Sequence, residues 1–222
     1  MSVENDRDYS QGEVRNHHKF FFSTGDTLIQ VEKALFKIHR HFLTQYSSVL
    51  EGLFELPTGD DGEMHPIPIQ EDGYRGWEAL LGIFYRDNHM APSPPSWDDT
   101  IALLPIAHKY SMETIENSAL ERITGEGTTK QQLIDALSVF KKLNMPDMHR
   151  KTLEKLALVP EFPTYEEARE MGLVSFYTLV IYYSLLCTTC MGRSVPVCQS
   201  CHVQRAPVPG ILTSSYNRDW RN

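Results

Sequence analysis

The sequence predicts an α+β fold: a small three-stranded sheet flanked by helices, then an all-helical C-terminal extension ending in a cysteine cluster. Three observations predict it. Between Asp26 and Leu56 the apolar period changes from two to about 3.6. Beyond residue 124 every periodic segment reads as helix, and all four cysteines fall in one fifteen-residue stretch.

Residues 1–18 are polar, without apolar periodicity, and are expected to form a disordered arm. Phe20, Phe21 and Phe22 follow and are too apolar to be left in water. Asp26-Thr27-Leu28-Ile29-Gln30-Val31 and Ala34-Leu35-Phe36-Lys37-Ile38-His39 read as two strands. Glu32 and Lys33 would make the turn, although neither is the glycine or asparagine that a primed turn prefers. Leu43, Tyr46, Val49, Leu50, Leu53 and Phe54 share one face of a first helix. A polar hairpin feeding an apolar-faced helix is the pattern of an assembly platform, so a binding module is expected.

Residues 57–63 form a loop by turn chemistry. His65 to Gln70 reads as a third strand, confined by Pro66 and Pro68 to an edge or a short pairing. A helix is expected from about Tyr74 to Tyr85, with Trp77, Leu80, Leu81 and Phe84 on one side. After a proline-rich linker, Ser96 can cap a helix over about Trp97–His108, with Asp98 and Asp99 at the positive end of its dipole. Ser111 is placed as the cap of the next helix, Met112–Ile123.

A boundary is set near residue 125, ending a domain over 19–124. In the helical extension, 125–186, Thr129 with Gln132 makes a capping box ahead of Leu133, Ala136, Leu137 and Phe140. Pro146 suits the first turn of a helix carrying Leu153, Leu156 and Ala157. Thr164 with Glu167 makes a second box, and an apolar helix follows Gly172.

Cys187, Cys190, Cys198 and Cys201 form two C-x-x-C pairs, the donor set of a tetrahedral Zn²⁺ site with metal–sulfur distances of ~2.3 Å. No secretory signal pattern is visible at the N-terminus, which favours metal over disulfides. The prediction is a structural zinc knuckle over 187–203 with a flexible tail, 204–222, and His202 as a neighbour. Four thiolates leave no open position for hydrolysis; the ion would fix the end of the preceding helix.

The formal charge of −8 argues against general nucleic-acid binding. Residues 187–222 carry Arg193, Arg205, Arg218 and Arg221 against Asp219, a net of +3, and solvated loop is the favoured reading. Gly172 to Leu186 is too short and too polar to span a bilayer, which takes ~20 apolar residues. Gly125 to Lys130 fails the Walker spacing, and neither G-x-S-x-G nor H-E-x-x-H occurs. No enzyme is predicted.

Several of these residues together resemble the BTB/POZ family, in particular the BTB proteins of fungi. The match runs through Asp26-Thr27-Leu28-Ile29 and Val31, Phe36 and His39, Leu43, then Ser47 and Ser48 ahead of Leu53-Phe54. Leu80-Leu81 with Tyr85, and Ala107 with Lys109-Tyr110 and Met112-Glu113, resemble the later helices, so about residues 18–123 are covered. The resemblance implies an α+β scaffold for protein–protein association, cytoplasmic or nuclear, commonly homodimeric through the N-terminal strand and first helix. Carried over, it puts Phe20, Phe21, Phe22, Leu43, Tyr46 and Leu50 at or near a dimer interface. Burying one such side chain is worth ~1.5–3 kcal/mol. The alternative is that Phe20–Phe22 pack in their own subunit as a fourth strand. Asp26 and His39 are assigned structural roles, with Arg40 or His41 as the partner of Asp26. Where some family members carry a hydrophobic-x-Glu cullin motif, this chain has Thr58-Gly59-Asp60. Two further readings are a cullin adaptor and a chromatin-associated factor touching nucleic acid through the knuckle and its arginines.

Overall fold

The alternation between Thr27 and Ile38 folds into an antiparallel hairpin, and one strand on each side widens it into a four-stranded sheet. The strands are β1 (Arg15–Phe21), β2 (Thr27–Val31), β3 (Ala34–Ile38) and β4 (Ile67–Ile69), in spatial order β1-β3-β2-β4. The structure is a computed structural model and describes residues 8–55, 65–85 and 95–185, with side chains to residue 183. The described residues divide into two compact units, meeting between Arg122 and Ile123.

Thr27, Ile29 and Val31 on β2, and Ala34, Phe36 and Ile38 on β3, turn into the core while the residues between them face outward. The turn is made by Glu32 and Lys33 with Glu32 at φ 51°, a left-handed conformation taken without glycine. Lys33 N–H donates to the Tyr9 carbonyl at 3.1 Å, and Arg15 N–H donates to the Lys33 carbonyl at 2.9 Å. The turn is thereby tied to the chain ahead of β1. β4 is three residues long, lies at the edge and pairs in parallel with β2, as its prolines require.

Two expectations for the N-terminal end are corrected. The sheet has four strands and not three, because β1 pairs in parallel with β3. Nor is the arm disordered as far as residue 18. Tyr9 is buried, its ring 4.9 Å from that of His17 and 5.4 Å from Tyr74, and β1 begins at Arg15. Charge concealed this segment, since its polar residues hold an aromatic contact at only a few positions.

The first helix is also two helices, α1 (Arg40–Thr44) and α2 (Ser48–Phe54). Ser47 is extended between them; its hydroxyl accepts from Leu50 N–H at 3.0 Å and donates to the Tyr110 carbonyl at 2.6 Å. The break rotates the face predicted for a single helix. Leu43 and Leu50 are fully buried, whereas Tyr46 and Val49 are 42% and 47% exposed.

The N-terminal unit is completed by α3 (Tyr74–Phe84), α4 (Trp97–Lys109) and α5 (Glu113–Thr124). Helices α3 and α4 pack closely because Gly76 has no side chain. A Cβ there would lie 2.5 Å from the Ala102 carbonyl oxygen and 2.6 Å from Ile106 Cγ1. Ser96 and Asp99 form a full capping box on α4. Ser111 does not cap α5. It ends α4 at φ 52°, donating its N–H to the His108 carbonyl while Met112 N–H reaches that of Ala107, a Schellman stop.

In the C-terminal unit follow α6 (Lys130–Lys142), α7 (Pro146–Leu156), α8 (Tyr165–Met171) and α9 (Leu173–Leu185). Both capping boxes form as the spacing predicts, and Pro146 opens α7. Asn144 at φ 53° repeats the Schellman stop at the end of α6, and Gly172 at φ 80° separates α8 from α9. Leu133, Ile134, Leu137, Leu153, Leu156, Met171 and Leu179 form this unit's core. Lys155 Nζ donates to the carbonyls of Thr124 and Gly125 within the same unit.

Candidate functional site

The residues singled out for a shared surface divide into two groups in the folded chain. Phe20, Leu43 and Leu50 belong to the N-terminal core, at 6%, 0% and 0% exposure. Phe21 and Tyr46 are open, at 38% and 42%, and Phe22 is partly covered. Alternation along β1 places Phe20 and Phe21 on opposite faces. Val14 and Val49, which the interface reading did not include, are exposed as well.

Beneath this surface is an aromatic layer centred on Tyr85. Its ring lies 4.5 Å from Phe22, 5.1 Å from Phe42 and 6.0 Å from Phe20, centroid to centroid. Tyr46 lies 5.2 Å from Phe84, on one wall of a groove of ≈ 500 Å³ that Leu103, Ile115, Ala119 and Arg122 also line. Burial, opposed by its bond to the His39 backbone, holds the Tyr85 hydroxyl above its ordinary pKa. It stays protonated at neutral pH.

His39 stands at the junction of β3 and α1. Its backbone N–H donates to Tyr85 Oη at 2.8 Å, which frees that hydroxyl to donate to Nδ1 at 3.0 Å. Nε2 is 3.1 Å from the Thr24 hydroxyl. The ring thus meets the hydroxyl side chains of Tyr85 and Thr24. Asp26 Oδ1 accepts from Arg40 N–H at 2.8 Å, covering one of the free donors at the start of α1. Its other oxygen is 3.9 Å from Arg40 Nε, so Arg40 is the charged partner found for Asp26.

Sequence reasoning missed a buried carboxylate that gathers three donors. Asp72, buried before α3, accepts from Lys109 Nζ at 2.7 Å, Tyr110 Oη at 2.8 Å and Trp77 Nε1 at 2.9 Å. Lys109 also donates to the Gln70 carbonyl at 2.9 Å. One carboxylate therefore joins the end of α4 to the start of α3 and the segment after β4. Burial, reinforced by Asp72, raises the Tyr110 pKa above its ordinary value, so this hydroxyl stays protonated and donates at neutral pH. The available signal was Lys109-Tyr110, adjacent residues that Asp72 explains only once the fold brings them together.

In the C-terminal unit the uncovered apolar residues gather on and before α9. Leu173 and Tyr177 are 82% and 66% exposed, with Phe162 and Tyr165 at 53% and 79%. Phe162 packs edge-on to Phe176 and lies 5.1 Å from Tyr183. The predicted zinc ligands Cys187, Cys190, Cys198 and Cys201, and Thr58-Gly59-Asp60, lie outside the described residues. Among the described residues no group of three or more His, Cys, Asp or Glu could hold a metal ion, and no helix is long and apolar enough to cross a membrane.

A pleated hairpin thus enters a short helix at His39, helices gather on Asp72, and Phe21, Tyr46 and Val49 are exposed. No curated protein matches the chain. The BTB/POZ domain, however, matches it over residues 14–126, which is more than half of its length and takes in β1 to β4 and α1 to α5. The chain belongs to the BTB/POZ family.

Proposed function

We propose that this protein is a non-enzymatic interaction module that pairs with a second copy of itself and presents its C-terminal helical unit to another protein. BTB/POZ domains serve as interaction modules, and family membership is the observation that carries the reading. The interface proposed here is narrower than the one drawn from sequence. Phe20, Leu43 and Leu50 are occupied within their own core, so Phe21, Tyr46 and Val49 are the side chains free to meet a partner. Light scattering on the full chain is expected to give twice the 25.5 kDa chain mass at micromolar concentration. Phe21→Glu with Tyr46→Glu, both at exposed positions, is expected to return it to monomer. A wild-type monomer at that concentration would defeat the dimer reading.

A structural Zn²⁺ held by Cys187, Cys190, Cys198 and Cys201 is the second part of the proposal, supported by the spacing of the two C-x-x-C pairs. Elemental analysis of protein purified without chelator is expected to find one zinc per chain, lost in Cys198→Ser with Cys201→Ser. Zinc-free wild-type protein would remove the claim.

A further inference from the structure

His17 is a buried titratable group that the interaction surface does not use. β1 is irregular around it. Arg15 pairs with Ala34 and Asn16 with Leu35, but the next register pair is Phe21 with Lys37, so four residues of β1 stand against one of β3. The His17 ring fills this bulge. Its Nδ1 accepts from the backbone N–H groups of Lys19 and Phe20, each at 3.3 Å. Two donors aimed at one nitrogen require it to be bare, which places the ring proton on Nε2. That atom is buried and has no hydrogen-bond partner among the described residues. The ring is 1% exposed and lies 4.6 Å from Phe36, 4.9 Å from Tyr9 and 5.3 Å from Phe20, all in stacked orientation.

We propose that His17 is a proton-operated latch: the neutral ring fastens residues 8–21 to the sheet, and its protonation releases them while β2, β3 and β4 stay paired. A second ring proton would turn the Nδ1 acceptor into a donor facing two N–H groups and would put a cation among aromatic side chains without a counter-ion in contact. The charged surroundings do not rescue it. Glu78 on α3 favours the cation, but Lys19 on β1 holds that carboxylate at 3.2 Å, and Lys19 and the neighbouring His18 both disfavour a further charge. Arg15 lies over the Tyr9 ring at 4.9 Å, adding another positive group to the same cluster. Tyr74 of α3 meets Tyr9 through its ring, and Phe36 of β3 brings no charge. Burial accordingly lowers the His17 pKa to about 4 from 6.5.

The latch does not depend on dimerisation, because every contact named lies within one chain. Peptide-resolved hydrogen exchange on the full chain, corrected for the intrinsic pH effect, tests it. Protection of residues 8–22 is expected to fall roughly twentyfold from pH 7 to pH 5, while residues 27–31, which pair only with β3 and β4, keep theirs. His17→Gln is expected to abolish the pH dependence, and NMR titration of wild-type His17 supplies the second readout should that variant not fold. A midpoint at or above 6.5 for His17, an unchanged pH response in H17Q, or simultaneous loss of protection in both segments would each overturn the latch. A depressed midpoint that coincides with release of 8–22 alone would support it.

Discussion

The two units differ in how much of their polar structure is local to the chain. In the N-terminal unit the decisive polar contacts join residues far apart in sequence: Asp72 with Lys109 and Tyr110, Ser47 with the Tyr110 carbonyl, His39 with Tyr85. In the C-terminal unit such bonds also occur, as between Lys130 and Glu167 and between His149 and Ser175, but the helix limits are set by local caps. Thr129 with Gln132 and Thr164 with Glu167 start helices, Asn144 and Gly172 stop them, and Pro146 sets a first turn. Long-range polar contacts fix which elements meet, whereas caps fix only where a helix begins and ends. The first kind suits a platform of fixed shape, the second a set of helices whose faces do the packing.

The buried histidines of the two units differ in their partners. In the C-terminal unit His149 on α7 places Nε2 3.1 Å from the Ser175 hydroxyl on α9, so its ring spans two helices and has a polar partner. His17 is boxed by rings, with Nε2 unmatched among the described residues. Both pKa values are lowered to about 4 by burial, with Lys141 adding to the effect at His149. Acid is therefore expected to act on both units but to open only an edge strand in the first.

The largest effect is expected at Asp72. Asp72→Ala strands the indole N–H of Trp77 and the hydroxyl of Tyr110, and leaves Lys109, itself partly exposed, to water. Two buried donors without acceptors should cost the N-terminal unit about 3 kcal/mol, measured by urea denaturation with hydrogen exchange resolving the two units. If the C-terminal unit lost as much, the division between them would be wrong.

Acidification comes next. His149 is neutral when folded and basic when unfolded, so its contribution is complete above pH 6.5 and declines as pH falls toward about 4. The folding constant of the C-terminal unit should drop roughly twentyfold between pH 7 and pH 5, with a smaller drop in His149→Gln. A flat response in wild type would remove His149 as the cause.

Gly76→Ala sharpens the comparison from the packing side. Its new methyl would collide with the Ala102 carbonyl and Ile106, and α3 would have to move off α4. A cost of about 1–2 kcal/mol is expected after the gain in helix propensity, read as a lower thermal midpoint. The smallest effect is expected from Thr164→Ala, which removes one side-chain cap from α8 for about 1 kcal/mol, seen as faster exchange in residues 165–171 alone. Loss of protection beyond α8 and α9 would show that caps here also carry tertiary information.

Local chemistry made much of this fold legible. The β2–β3 alternation, the edge position of β4, the boxes at Thr129 and Thr164, and Pro146 all rest on residues within a few positions of one another, so a single chain shows them. Family membership was legible for the same reason, since its marks are short motifs at steady spacing.

Tertiary contacts decided what those motifs left open. Ser47 breaks a helix whose apolar period runs straight through it, because the Tyr110 carbonyl, sixty-three residues away, accepts its hydroxyl. β1 becomes a strand through a parallel pairing that no turn announces, and its bulge closes on a histidine that reads as one polar residue in a charged arm. Local sequence pattern determined that there would be a sheet and helices and several of their limits. Which apolar side chains remain open for a partner followed from packing, because burial at Phe20, Leu43 and Leu50 and exposure at Phe21 and Tyr46 depend on neighbours brought together only when the chain folds.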